Sequence, residues 1–366
     1  MLGLTMKKAM GELALIERIR SGWAAGAGAA RSAGRGHARD LMLGIGDDCA
    51  ILRPPQGHEV LVTTDLTLEG RHFRRDWHPA ESVGHRAMAR GLSDLAAMGA
   101  RPLAAFLSLA LPAEMLATHK GRTWAARFFA GLGGLAAQFR VPLAGGDTAE
   151  SPDGLVLADI VLVGSAPAGR ALRRSGASTG ELLYVTGALG GAAAELNALT
   201  AGGKRQPTLS SKAGKDGPPG SIAGSDEGLV AHPQLYPQPR LAVGQALLRR
   251  RLATAAIDLS DGLSTDLSHL CRESHVGAQI DAAALPIHPL ARRAPQPMHL
   301  ALDGGEDYEL LFAAPPSMRI PRSIAGVPIT RIGRLTLGAG ITLVDNAGRE
   351  RPLKPGGWEH FAKKSQ

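Results

Sequence analysis

Residues 44–52 read GIGDDCAIL, so two adjacent carboxylates, Asp47 and Asp48, stand between a glycine turn and a short apolar run. Neighbouring negative charges at such a place are costly unless a cation or hydrogen-bond donors neutralise them. The arrangement recurs at Thr63-Thr64-Asp65-Leu66, Ser93-Asp94-Leu95, Gly145-Gly146-Asp147-Thr148 and Asp258-Leu259-Ser260-Asp261-Gly262. Each stretch sets an aspartate beside glycine or hydroxyl residues at the edge of an apolar segment. Oxygen donors of this kind suit hard cations such as Mg²⁺. Taken singly, Asp47 or Asp48 could form a turn, and Asp94 could be a helix residue bonded to nearby backbone. Five such aspartates together favour a shared metal cluster.

Motifs for other chemistries are missing. The chain has no G-x-x-x-x-G-K-[ST] loop, G-x-S-x-G elbow, H-E-x-x-H or paired C-x-x-C, and Gly131-x-Gly133 follows helix-like rather than strand-like sequence. Phosphoryl transfer from ATP, in contrast, needs mainly positioning and charge neutralisation. Magnesium ions held by Asp47, Asp65, Asp94, Asp147 and Asp258 would screen a triphosphate, and Arg174 could grip its oxygens as a fork.

These residues need a frame. Helical spacing of apolar residues predicts helices over 12–20, 82–98 (capped by Gly99), 114–139, 241–252 and 263–273. Strand-like runs occur at 60–63, 103–111, 155–163, 182–186 and 255–257, the last delivering Asp258. The alternation predicts an α/β first half, residues 1–165, followed by an α+β second half, residues 166–366. Gly187–Gly191 opens a helix behind a strand, where backbone N–H groups could meet phosphate or simply form a βα turn. Two stretches look like loops by composition: 21–39, rich in Gly, Ala and Arg, and 200–228, a surface insertion of Gly, Ser, Lys and Pro.

With 366 residues, 44% hydrophobic and 20% charged, the chain can bury a large core. The net charge of +8 is spread as scattered residues with small groups at 71–75, 170–174 and 249–251. That pattern, with only 4% aromatics, argues against a nucleic-acid partner and leaves either a solvated basic surface or phosphorylated small molecules. Two cysteines, Cys49 and Cys271, are too few for a disulfide framework. No signal peptide or membrane span is expected, and the cytoplasm is the expected compartment.

The ordered set GIGDDCAIL, TTDLTLEGRHF, GLSDLAAMGARP, GGDT, GRALRRSGA, IDLSDGLSTDL and GGEDYELLF resembles the thiamine-monophosphate kinase family, within the ATP-binding superfamily of aminoimidazole ribonucleotide synthetase. The resemblance covers roughly residues 11–361 apart from the two loops. It implies ATP-dependent conversion of thiamine monophosphate to thiamine diphosphate. It also implies a two-domain PurM-like fold whose N-terminal sheets pair across a homodimer. Carried over by position, Asp47, Thr63, Thr64, Asp65, Asp94, Asp147, Asp258 and Asp261 resemble magnesium ligands, with Asp47, Asp65 and Asp258 central to catalysis. Phe128, Gly146, Arg174 and Ser260 resemble ATP contacts. His72, Glu306 and Trp358 resemble substrate contacts, although Trp358 also suits plain core packing and Glu306 could cap a turn or pair with an arginine. A carboxylate and an aromatic face suit a cationic thiazolium ring. Competing readings are a ribonucleotide cyclase or selenophosphate synthetase of the same superfamily, or a non-catalytic nucleotide- or RNA-binding protein. The surplus of aspartates speaks against the last of these.

Overall fold

The alternation Leu61, Thr63, Asp65, Thr67 against Val60, Val62, Thr64, Leu66 gives β3 (His58–Leu68) one inward and one outward face. The computed structural model describes residues 14–19, 21, 40–201 and 232–358. The first predicted helix is seen over residues 14–19; most of the 21–39 loop, and the 200–228 insertion beyond Ala201, lie outside the described residues.

Ahead of β3, β1 (Leu41–Leu43) and β2 (Ile51–Leu52) pair as a small ribbon around the GIGDD turn. Next come α1 (Ala80–Ala97), β4 (Arg101–Leu111), α2 (Ala113–Ala117), α3 (His119–Gln138), β5 (Leu143–Glu150) and β6 (Leu157–Pro167). Strands β3, β6, β4 and β5 form a four-stranded sheet in that order, antiparallel except for the parallel β4–β5 pair. Two readings from the sequence change here. Strand β3 runs for eleven residues, so Asp65 lies inside a strand rather than at its end. The single long helix expected over 114–139 is broken at Thr118, whose extended backbone and hydroxyl cap the start of α3 by accepting the Gly121 N–H at 3.1 Å.

The second half begins with β7 (Leu182–Thr186) and α4 (Gly191–Ala201), followed by α5 (Leu241–Arg249), β8 (Ala255–Asp258), α6 (Leu263–Ser274) and β9 (Gly277–Asp281). Short helices α7 (Pro289–Arg292) and α8 (Pro297–Asp303) precede β10 (Leu310–Ala314), β11 (Ser323–Ile324), β12 (Val327–Thr336), β13 (Ile341–Val344) and β14 (Glu350–Pro352). The second sheet has the order β14-β13-β9-β12-β7-β10-β8, with β11 beside β12.

Helix α1 lies between the two sheets, packed on β3, β6 and β4 on one side and on β8 and α5 on another. One apolar core joins it to both sheets, through residues such as Leu92, Leu162, Leu247 and Phe312; a second fills the other face of the second sheet beneath α6. Glycine permits the closest approaches. A Cβ at Gly84 would stand 1.9 Å from the Phe128 carbonyl oxygen, and one at Gly131 would stand 1.8 Å from that of Glu81, so α1 and α3 touch backbone to backbone. The glycines that weaken α3 as an isolated helix are what let it dock.

Two buried histidines flank this contact. His78 and His85 are 1% and 2% exposed, and burial, aided by the Arg86 guanidinium, pushes both down to about 4. An unfolded chain protonates them near 6.5, so stability is undiminished above that pH and is lost as pH falls toward 4. Each site contributes about 3 kcal/mol of acid destabilisation by that lower limit. His85→Gln is therefore expected to flatten the fall of melting temperature between pH 6.5 and 4.5; an unchanged slope would show that His85 is not the titrating group.

Candidate active site

Arg86, Arg90 and Asp94 recur every four residues, so the α-helical repeat sets them along one side of α1, with Ser93 adjacent. Facing them, the period of two along β3 turns Thr63 and Asp65 the same way. The Thr63 hydroxyl donates to the Asp94 carboxylate, and Arg90 donates through Nε (2.8 Å) and Nη2 (2.5 Å) to Asp65 Oδ1. From the second sheet, Asp258 ends β8, and its Oδ2 accepts the Ser93 hydroxyl at 2.7 Å.

Three carboxylates from three elements thus share one electrostatic environment. Burial and then nearby Asp65 raise the Asp94 carboxyl; burial and then Asp94 push Asp258 up to about 7. Arg174 acts on both in the opposite sense without cancelling the effect. Among the described residues only Asp65 of the three is ion-paired, to Arg90, and every donor is a hard oxygen. That is the environment a divalent cation stabilises, so these residues fit Mg²⁺.

Beyond Asp258 the chain turns through Leu259–Gly262 and is clasped by the GGEDYELLF segment. Leu259 N–H donates to Glu309 O (2.8 Å), Tyr308 N–H to Leu259 O (2.9 Å) and Glu306 N–H to Ser260 O (2.7 Å). These bonds hold Glu306 and Tyr308 at φ of 67° and 50°, a left-handed conformation that non-glycine residues adopt at a cost. Trp358, 45% exposed, joins the same loop by donating its N–H to Asp261 O at 3.0 Å. The Asp266 carboxylate accepts the N–H groups of Asp261 and Gly262, both at 3.0 Å. Burial and the neighbouring Asp258 and Asp261 push Asp266 up to about 8. Asp261, Asp266 and His269 can each bring one ligand atom within 4.8 Å of the others.

Glu306 and His72 meet at one buried arginine. Arg86, 1% exposed, donates through Nη2 to Glu306 Oε1 (2.6 Å) and to the His72 carbonyl (3.0 Å), and through Nη1 to the Gln234 carbonyl. Gln234 Nε2 donates to Glu306 Oε2 at 2.7 Å, and Arg90 lies 3.7 Å from the same carboxylate. Burial would raise Glu306, but Arg86 and Arg90 outweigh it and hold the carboxyl below its usual range.

The remaining expected residues lie elsewhere. Asp47 and Asp147 are exposed, and each accepts the N–H of its own successor, at 2.9 and 2.8 Å. Thr64 points to the outer face of the sheet, where its hydroxyl donates to Asp159 at 2.8 Å, because strand alternation opposes it to Thr63 and Asp65. Gly146 presses on β4, where a Cβ would stand 1.9 Å from Leu107 O. Phe128 is wholly buried and stacked on Trp124, with ring centres 5.7 Å apart, so it shows no open face to an adenine. The helix start after Gly187 is not a free phosphate nest: Asp307 accepts the N–H of Gly190 (2.6 Å) and of Ala192 (3.2 Å). The sequence reading also missed Arg86, Arg90, Gln234 and Asp266, and noted Ser93 only as a hydroxyl beside Asp94. The four-residue spacing of Arg86, Arg90 and Asp94 was the available signal for two of them.

The profile of the family described as "AIR synthase related protein, N-terminal domain" matches residues 46–166. The thiamine-monophosphate kinase of Escherichia coli (strain K12) is 39% identical over 330 residues, spanning 88% of this chain and 93% of that protein. The crystal structure of thiamine-monophosphate kinase from Stenotrophomonas maltophilia K279a superposes with a TM-score of 0.72 at 35% identity, covering 91% of this chain and 96% of that one. AaThiL complexed with AMPPCP and TMP superposes with a TM-score of 0.67 at 26% identity, covering 98% and 100%.

Proposed function

The chain belongs to the thiamine-monophosphate kinase family, and on that premise we propose that it transfers the terminal phosphoryl group of ATP to thiamine monophosphate beside Asp65, Asp94 and Asp258. The observation that carries the reading is the convergence of these three carboxylates, of which, among the described residues, only Asp65 is ion-paired. We assign magnesium binding to them together with Thr63 and Asp261, and, from the outlying positions, Asp47, Thr64 and Asp147. Magnesium, when bound, would offset the charge of the triphosphate.

The acceptor is a phosphate monoester, ionised at neutral pH, so the chain needs no general base to prepare it. The barrier is repulsion between two anions. Arg174, already within electrostatic reach of Asp94 and Asp258, supplies a fork for phosphate oxygens, and Ser260 and Gly146 are assigned to the nucleotide. His72, Glu306 and Trp358 are assigned to thiamine monophosphate. In this division residues 1–165 supply most of the metal contacts, and residues 166–366 supply Arg174 and Ser260 for the nucleotide and close the site. Incubation with Mg·ATP and thiamine monophosphate is expected to yield thiamine diphosphate and ADP in equal amounts, identified by mass. ADP without thiamine diphosphate would reduce the activity to that of an ATPase.

A homodimer joined through the outer face of the four-stranded sheet belongs to the same proposal. Val60, Val62 and Leu66 on β3 are 50%, 65% and 42% exposed, an apolar strip that a monomer would leave in water. Val62→Asp is expected to halve the mass measured by light scattering; an unchanged mass would place the contact elsewhere. Both cysteines are free, and among the described residues no helix is long and apolar enough to cross a membrane. A reducing cytoplasmic setting suits those free thiols.

A further inference from the structure

Two of the basic groups in the sequence, 170–174 and 249–251, are about eighty residues apart, yet the fold brings them to one place. Arg170, Arg173 and Arg251 line a solvent-open cavity of about 330 Å³ together with Ser175, Leu172 and Thr254. Among the described residues no aspartate or glutamate lines it. Among the described residues none of the three guanidinium groups makes an ion pair, whereas Arg86, Arg90, Arg101 and Arg240 are each paired with a carboxylate. Glu181, buried and bonded to the lining residue Thr254, is engaged by the Thr254 hydroxyl at 2.5 Å and the Ser178 N–H at 3.2 Å.

This cavity is separate from the carboxylate cluster. Thr254 stands just ahead of β8, whereas Asp258 is at its far end, four residues on in an extended chain. The segment between Gly169 and Gly176 runs alongside, fixed by Leu172 N–H on Met98 O (3.1 Å) and Ala256 N–H on Arg173 O (2.9 Å). Arg173 and Arg174 therefore serve opposite sides: Arg174 acts on Asp94 and Asp258, and Arg173 lines the cavity.

Three arginines without ion pairs lining one hollow, with Ser175 beside them, suit a small ligand that carries several negative oxygens. Single exposed arginines bind such ligands weakly, but convergent ones act together. We propose that this cavity is a second anion site, which takes a phosphorylated small molecule bearing a diphosphate group without passing it to the carboxylate cluster.

Inorganic pyrophosphate is the probe. It would be titrated calorimetrically into the full chain, in EDTA and at fixed ionic strength, so that metal-dependent binding at the carboxylates does not contribute. The parent protein and Arg174→Gln are expected to bind alike, while Arg173→Gln/Arg251→Gln loses about tenfold or more in affinity. The double variant should keep the parent's melting temperature and kinase rate without pyrophosphate, because both side chains are exposed and outside the transfer site. Absence of binding by the parent, equal binding by the double variant, or a comparable loss in Arg174→Gln would each overturn the proposal. None of these outcomes depends on whether the chain proves to be a kinase.

Discussion

Asp258→Asn is expected to slow phosphoryl transfer by about 10²–10³-fold while leaving the metal-free protein as stable as the parent or more so. Asparagine keeps the shape at the end of β8 and the contact with Ser93, but removes the charge. Burial and Asp94 raise this carboxyl in the folded chain to about 7. A raised carboxyl favours folding fully only below the unfolded value near 3.8, and that contribution is lost as pH rises through 7. At neutral pH without metal the ionised group therefore works against the fold. Melting in EDTA should rise by a few degrees in the variant, and the gain on adding Mg²⁺ should shrink. Steady-state rates and melting curves with and without Mg²⁺ read both effects. A variant as active as the parent would remove Asp258 from the transfer chemistry.

Glu306→Gln is expected to raise the KM for thiamine monophosphate about ten- to a hundredfold and to leave that for ATP nearly unchanged. The structure adds a second effect. Arg86 is fully buried, and Glu306 is the carboxylate it is paired with, so removing that charge destabilises the fold by about 3–5 kcal/mol. Denaturant unfolding measures this loss separately from the kinetics. The two arginines already absorb much of the charge of Glu306, which is why the kinetic test matters. If both KM values rose together, or neither moved, Glu306 would be a brace for Arg86 and His72 rather than a contact for the cationic ring.

The sequence disclosed most about elements whose pattern is local. Leu182–Thr186 is an uninterrupted apolar run and forms the strand expected of it, as does Ala255–Ile257 before Asp258. Where polar residues fill alternate positions, as in Asp65-Leu66-Thr67-Leu68, the chain reads as a short run ending at Thr64-Asp65, yet neighbouring β6 extends it as a strand. The break at Thr118 opens the polar run Thr118–Thr123, which the reading of one helix over 114–139 passed over. The site divides similarly. Ser260, Asp261, Glu306 and Trp358 meet around one loop, a juxtaposition that no single motif specifies. The partners of Glu306 were beyond reach, since Arg86 lies 220 positions away and nothing in either segment specifies the other. The helix start after Gly187 invited a phosphate because its competitor, Asp307, is 117 positions downstream of Gly190.

Helix α1 has one further consequence, for how the site can move. It carries Arg86, Arg90, Ser93 and Asp94 in a single register, and it is pinned at several points without slack: by α3 at Gly84 and Glu81, and by α5, where a Cβ on Gly244 would stand 1.9 Å from Ala96 O. A rotation or slide of α1 would drive backbone into backbone, so this wall behaves as a fixed rail. Any closure over a substrate would then fall to the opposite jaw, the loops bearing Ser260 and Trp358, since Glu306 is itself held to α1 by Arg86 and Arg90. Amide hydrogen exchange should divide along the same line, slowest through the middle of α1 and quickening on that jaw, with saturating ligand slowing the jaw alone.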